Sequence, residues 1–241
     1  MIHIYSIQYN KPSFIDLQKK SFDKFAGEYN FTVIDNSIDN NISSQIKDRC
    51  SLNNLKFIET KDKFDSINNG LHGFSHEIGI NCFLNNLKNN HTINDIVILL
   101  DHDVFLISYI SKIMDKIKES SILSVKQERE HVYYAWPGLT IFNLSNCINI
   151  NEISLDGCKL VDGNWILVDG ARTDVGGHSY HYLKKYKNEV KFIDIMENFV
   201  ENVDKINDNH VFYHFHDGSQ WSGYSNEIWN NKFEQIKKII E

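Results

Sequence analysis

A run of apolar residues, Ile96-Val97-Ile98-Leu99-Leu100, lies between Asp95 and the triplet Asp101-His102-Asp103. A run this short, bounded by polar groups, predicts a strand buried on both faces. Such strands belong to the parallel sheets of α/β proteins, and open α/β sheets place their ligands beyond the carboxyl ends of their strands. In an extended chain residues two apart face the same way, so Asp101 and Asp103 are expected to project together from that end. Two adjacent carboxylates repel each other, and a divalent cation is the simplest relief. The competing reading is a strand that ends in solvated acids.

At 241 residues the chain has length enough for one sizeable core, and it reads as a single domain, 1–241. It holds two prolines and no low-complexity stretch that would mark a linker. With 25 basic against 32 acidic residues the net charge is −7, which argues against nucleic-acid binding, since that rests on a basic surface. Cys50, Cys82, Cys147 and Cys158 lack the close-paired spacing of zinc clusters, redox pairs or a disulfide framework. The first residues do not form a basic-then-apolar signal segment, and no apolar run reaches transmembrane length. The expected location is the cytoplasm.

Ile2 to Gln8 alternates and is rich in β-branched and aromatic residues, so it reads as a strand. After the turn Tyr9-Asn10-Lys11-Pro12, Ser13 and Asp16 have capping-box spacing, and Phe14, Leu17, Phe22 and Phe25 share one helical face. Phe31 to Ile34 is a second strand, ending at Asp35-Asn36-Ser37, which makes a parallel strand–helix–strand unit. Residues 38–55 carry no clear periodicity, and Lys56 to Thr60 is a candidate strand. The loop Asn68 to Gly73 leads into a helix from about Ser75 to Asn89 with His76, Gly79, Ile80, Phe83 and Leu87 on one face. His76 is either a satisfied core histidine or a ligand contact at a helix N-terminus.

Beyond the acidic triplet, Ile107 to Lys118 has helical spacing and Ile122 to Val125 reads as a strand. The aromatic stretch Tyr133 to Asn143 feeds another strand, and the turns Asp156-Gly157 and Asp162-Gly163 suggest a hairpin region. Thr173-Asp174-Val175-Gly176-Gly177 precedes a helix to about Lys187. Strands follow at Lys191–Ile195 and Val211–His216, and the chain closes on an amphipathic helix using Trp229, Phe233, Ile236 and Ile240.

Four of these pieces share one pattern. The Tyr9-Asn10 turn and the acidic end Asp35 to Asp39 resemble the start of family 2 glycosyltransferases. The Asn/Gly-rich entry around Asn68 to Asn81 resembles the segment before their central strand. Leu99-Leu100-Asp101-His102-Asp103 is similar to the Asp-x-Asp strand of GT-A glycosyltransferases. His214-Phe215-His216-Asp217-Gly218-Ser219-Gln220-Trp221 resembles the His-Phe-x-Gly-x-x-Lys-Pro-Trp ending of family 8 enzymes. The resemblance spans residues 2 to 221 at the superfamily level. It departs from the family 8 ending in lacking the Lys-Pro pair, so Ser219 or Gln220 would stand, uncharged, where a lysine meets phosphate.

The resemblance implies a single Rossmann-like GT-A domain with a mixed, mostly parallel sheet flanked by helices. Residues to about 103 would bind nucleotide, and those from about 104 would bind acceptor. It implies transfer of a hexosyl or related sugar from a UDP- or GDP-sugar to a glycan, lipid-linked or protein acceptor, with Mn²⁺ or Mg²⁺ stabilising the diphosphate leaving group. Asp103 would ligate the metal directly, with Asp101 acting through water or holding the ribose. His214, or else His216, would complete the set, and an imidazole ligand favours Mn²⁺ over Mg²⁺. Asp35 would accept a hydrogen bond from the nucleobase, flanked by Gln8 and Tyr9. Ser219, Gln220 and Trp221 would line the diphosphate side, with His76 a further contact. Asp174, or alternatively Asp169, would activate the acceptor hydroxyl as a general base. Trp136, Pro137 and Gly138 would wall the acceptor. Two other classes fit part of the pattern. In a haloacid-dehalogenase-type phosphatase Asp101 would be the nucleophile, although that motif usually opens a chain. A non-catalytic sugar-nucleotide-binding module would share the fold without turnover.

Overall fold

The computed structural model describes residues 1–60, 74–161, 164–215 and 226–241. Its main sheet is built on β1 (Ile2–Gln8), β2 (Tyr29–Asp35), β3 (Lys56–Glu59) and β4 (Ile96–Asp101), which are mutually parallel in the order β3-β2-β1-β4. Beyond β4 come β7 (Val132–Asn143), then β6 (Ile122–Arg129), then β10 (Phe192–Asp194). β7 is antiparallel to both neighbours, so every strand of this sheet runs the same way except β7.

The buried run behaves as its composition predicts. Ile98 and Leu100 pack on one face of the sheet with α1 (Ser13–Phe25) and α2 (Asn40–Leu52). Val97 and Leu99 pack on the other with α3 (Phe74–Asn89) and α5 (Ser179–Lys185). Period-two alternation with apolar residues at every position leaves neither face for water.

A second sheet joins β5 (Val104–Leu106), β12 (Phe212–His214) and β11 (Phe199–Val200). It packs with α1 and the closing helix α6 (Asn226–Ile240) through Phe14, Leu17, Phe105, Tyr213, Phe215, Ile236 and Ile240. A hairpin, β8 (Lys159–Val161) with β9 (Asn164–Ile166), lies where the Asp-Gly turns predict one.

Three local expectations change. Residues 40–52, which show no periodicity, form α2, capped by the Asp39 carboxylate accepting from the amides of Asn41 (2.7 Å) and Ile42 (3.4 Å). The capping box at Ser13 is absent. Asp16 instead accepts from Asn53 Nδ2 at 2.8 Å and pairs with Arg49, tying α1 to α2. The helix expected over 107–118 divides into a 3₁₀ turn, Ile110–Ile113, and α4 (Met114–Glu119). Its start is pulled straight because the Ile107 amide extends the small sheet by donating to Val211 O at 2.9 Å. No helix among the described residues is long and apolar enough to cross a membrane.

Candidate active site

Strand order reverses beside β1: the chain steps from β1 outward to β2 and β3, then returns to place β4 on the opposite side. Such a switch point opens a crevice at the carboxyl ends of the two strands. Here β1 ends at Gln8-Tyr9-Asn10 and β4 at Asp101-His102-Asp103. Asn10 takes a left-handed conformation, φ 58°, and its amide donates to Ser37 Oγ at 3.0 Å, while Asn36 N donates to Gln8 O at 2.9 Å. The loops after β1 and β2 are thereby fastened together at the edge of the crevice.

The acidic triplet is a turn rather than a continued strand. His102 N donates to Ile7 O at 3.1 Å, the chain reverses over His102-Asp103, and β5 leaves in a different sheet. The two carboxylates are therefore aimed by separate partners. Asp101 Oδ1 accepts from His76 Nε2, in the first turn of α3, at 2.8 Å. Asp103 Oδ2 lies 3.6 Å from His214 Nε2. That second distance is set by register: antiparallel pairing puts His214 opposite Val104, and Phe215 N donates to Asp103 O at 2.8 Å. The parallel pairing of Val200 with Tyr213 brings Glu201 alongside, and its Oε1 accepts from His214 Nδ1 at 3.0 Å. The His214 ring is stacked with Phe199 at 5.8 Å and tilted against Trp136 at 5.0 Å. Gly138 lets the indole lie close, since a Cβ there would run into it.

Burial opposes a charge on His214, but the Asp103 and Glu201 carboxylates prevail and hold its pKa at about 10. Burial also opposes a charge on His76, and Asp101 with Asp103 outweighs it, so that pKa is raised too. His102 goes the other way. It is buried, stacks on Phe14 at 5.7 Å, and its pKa is pushed down by burial against the attraction of both carboxylates. It anchors the turn from inside.

Two of the residues that the sequence nominates face inward. Gln8 is fully buried and its Nε2 donates to Gln18 Oε1 at 2.8 Å and to Ser6 Oγ at 2.9 Å. Gln18 Nε2 in turn donates to the carbonyls of Asp101 and Val104, each at 3.0 Å. The pair braces the turn from beneath. Asp35 is 1% exposed, and its carboxylate accepts from Ser37 N at 3.0 Å and Ser43 Oγ at 2.5 Å. Tyr9 is half-buried at the crevice edge.

The acids proposed for acceptor activation have partners outside the Asp101–Asp103–His214 group. Asp169 accepts from Tyr180 Oη at 2.6 Å and from Lys184 Nζ at 3.0 Å. Asp174 is exposed and pairs with Arg129 at 3.0 Å. His216, Ser219, Gln220 and Trp221, with the loop at Asn68–Gly73, lie outside the described residues. Sequence reasoning did not find Glu201 or Gln18. Glu201 gives no local signal, because only strand register brings it to His214. Gln18 does give one: it is a polar residue on the same helical face as Phe14, Phe22 and Phe25.

This is the fold of the GT-A glycosyltransferases. The galactosyltransferase LgtC, solved with donor and acceptor sugar analogs, matches it with a TM-score of 0.50 at 14% identity, over 99% of this chain and 96% of that one. Mouse xyloside xylosyltransferase 1, in its apo form, matches with a TM-score of 0.52 at 10% identity, over 89% and 97%. The bifunctional glycosyltransferase WbbM matches with a TM-score of 0.51 at 9% identity, over 98% of this chain and 49% of its own. No protein-family model matches the sequence, and neither does any curated protein.

Proposed function

We propose that this chain is a metal-dependent glycosyltransferase that moves a sugar from a UDP- or GDP-sugar to a hydroxyl acceptor on a glycan, lipid or protein. The observation that carries the reading is the approach of Asp103 and His214 at the switch-point crevice, with Glu201 holding the far side of the imidazole. Asp103 Oδ2 and His214 Nε2 stand 3.6 Å apart as an ion pair. That distance is close to the separation of two ligands on one ion with bonds of about 2.1 Å. A carboxylate on Nδ1 is the usual orienting partner of a ligating histidine, leaving Nε2 for the ion. The donor set of carboxylates and one imidazole therefore fits Mn²⁺ or Mg²⁺, held by Asp103 and His214 with Asp101 beside them.

A bound divalent ion would neutralise charge developing on the nucleoside diphosphate as it leaves. The chain itself supplies position. Tyr9 offers an aromatic face to the base at the β1 edge, His76 holds Asp101, and Trp136 walls the crevice next to His214. For acceptor activation we retain Asp174 over Asp169. The Asp169 carboxylate is held by a tyrosine and a lysine, whereas Asp174 is held by one exposed ion pair that an acceptor displaces at little cost. Residues up to about 103 then serve the nucleotide and the rest serve the acceptor. What weighs against the phosphatase alternative is the fold, which is that of glycosyltransferases.

The test is hydrolysis or transfer of UDP- and GDP-sugars by EDTA-stripped protein with Mn²⁺ or Mg²⁺ restored. Asp103→Asn is expected to lose metal-dependent turnover by at least about 100-fold, in line with removal of one transition-state-stabilising group, while still unfolding cooperatively from a native state. Turnover that survives in Asp103→Asn rejects the assignment. Nucleotide binding without turnover on any donor favours the non-catalytic module.

A further inference from the structure

At the opposite end of the sheet, where β1 and β4 begin, a second group of donor atoms converges. His3, near the start of β1, His91, in the connection from α3 to β4, and Asp95, just before β4, place one ligand atom each within 4.8 Å of one another. His3 Nε2 lies 3.4 Å from Asp95 Oδ1, and His91 Nδ1 lies 3.9 Å from Asp95 Oδ2. For tetrahedral zinc with bonds of about 2.1 Å, neighbouring donors stand about 3.4 Å apart. The His3–Asp95 pair already has that spacing, and His91, measured to the other carboxylate oxygen, has to draw in to join it.

His91 supplies an independent pointer. Its side chain is 3% exposed, and its Nδ1 is buried without a hydrogen-bond partner. A buried polar atom left unpaired is costly, so this nitrogen lacks something that it is built to meet. Its other nitrogen, Nε2, lies 2.8 Å from Tyr5 Oη. With Nε2–H donating to the tyrosine, the Nδ1 lone pair faces Asp95, which is how an outer partner sets the tautomer of a metal-binding imidazole. Burial also holds the His91 pKa down at about 4, so the ring is neutral at physiological pH.

We propose that His3, His91 and Asp95 form a binding site for a borderline divalent transition metal, best suited to Zn²⁺, separate from the Asp103–His214 crevice. Two imidazoles and one carboxylate are a zinc donor set rather than a calcium or magnesium one. A cleft of 510 Å³, lined by His3, Tyr5, Lys56 and His91 among others, gives an entry path and leaves a fourth position for water. The Met1 amine pairs with Asp95 Oδ1 at 3.5 Å, and an entering cation displaces it. Along β4, Asp95 and Asp101 are separated by roughly 20 Å at 3.3 Å per residue, so the two sites do not share ligands. Bound metal would clamp the α3–β4 connection to the first strand.

The probe is Zn²⁺ itself, titrated calorimetrically into EDTA-stripped Asp103→Asn protein, in which the crevice is disabled. The expected result is about one equivalent bound, with a rise in melting temperature that depends on Zn²⁺ concentration as mass action requires. His91→Gln and His3→Gln should each weaken this binding by more than the roughly 10–100-fold typical of outer-shell changes, and Tyr5→Phe by an amount inside that range. Co²⁺ should give visible absorption bands of a four-coordinate site that vanish in His91→Gln. Should His91→Gln fail to fold, the more exposed His3→Gln carries the test. If Asp103→Asn protein binds no Zn²⁺, or if both histidine variants bind it as tightly as their parent, the site does not exist.

Discussion

At the scale of single residues, His214 sits between two acids, and its protonation is in competition with metal. With a folded pKa of about 10 against an ordinary 6.5, metal-free protein keeps the imidazolium stabilisation fully below pH 6.5 and loses it as pH rises through 10. The ion needs the neutral ring, so binding must release that proton. Metal affinity at the crevice should therefore climb steadily from pH 6 to pH 9, and calorimetry in buffers of different ionisation heat should register about one proton released per ion. Glu201→Gln weakens the hold on Nδ1 and should reduce Mn²⁺ affinity by about 10–100-fold, and it should lower the melting temperature of metal-free protein as well because the His214 imidazolium loses one of its two acids. A drop confined to melting temperature would make Glu201 a structural partner only. The sequence shows why Glu201 escapes detection and His214 does not. His214 sits in a His-Phe motif, whereas Glu201 is thirteen residues earlier in an unremarkable Val-Glu-Asn stretch and meets the imidazole only through the register of two short strands.

At the scale of elements, α1 does more than cover the sheet. Its buried face carries Gln18 and Ser21 among the phenylalanines, and their side chains donate to the carbonyls of Asp101, Val104 and Leu106 as the chain leaves β4. Gln18→Leu keeps the size of the side chain and removes its polar atoms, taking one donor from the carbonyls of Asp101 and Val104 and one acceptor from the Gln8 amide, which keeps Ser6. The expected cost is about 2–4 kcal/mol in urea unfolding, together with reduced turnover because the turn is no longer braced. A neutral effect on both would show that water replaces the amide. Periodicity gave α1 and α6 because each has a dominant apolar stripe, and α3 was legible because it is rich in apolar residues over most of its surface. It failed for α2, where only Ser43, Ile46 and Cys50 are buried and the Asp39 cap rather than hydrophobicity sets the start. It also failed over 107–118, where spacing is helical but backbone pairing with Val211 takes the first residues into a sheet.

At the scale of the molecule, the central strand and its acidic end were legible because both follow from local composition. Of the second sheet only the strand at Val211–His216 was legible, as β12; the sheet itself was not, since its strands have two or three residues each and β5 comes from a segment about a hundred residues before the other two. The acid limit of stability has a similarly distributed origin. His91 is held at a pKa of about 4 against 6.5 in the unfolded chain, so folding is favoured above 6.5 and that contribution drains away as pH falls toward 4. In EDTA, wild-type protein should lose up to about 3 kcal/mol over that interval, and His91→Gln should lose much less. The small sheet has a further consequence. Asp103 enters it and His214 leaves it at the same end, side by side, on strands that pair within this sheet and not within the main one. A sub-global opening that peels β11, β12 and α6 away would leave the Rossmann-like half standing and separate the carboxylate from the imidazole. The protein is then able to lose its ion while remaining folded, like a clasp that opens without the box giving way, and amide exchange at Phe212 to His214 should be faster than at Val97 to Leu100.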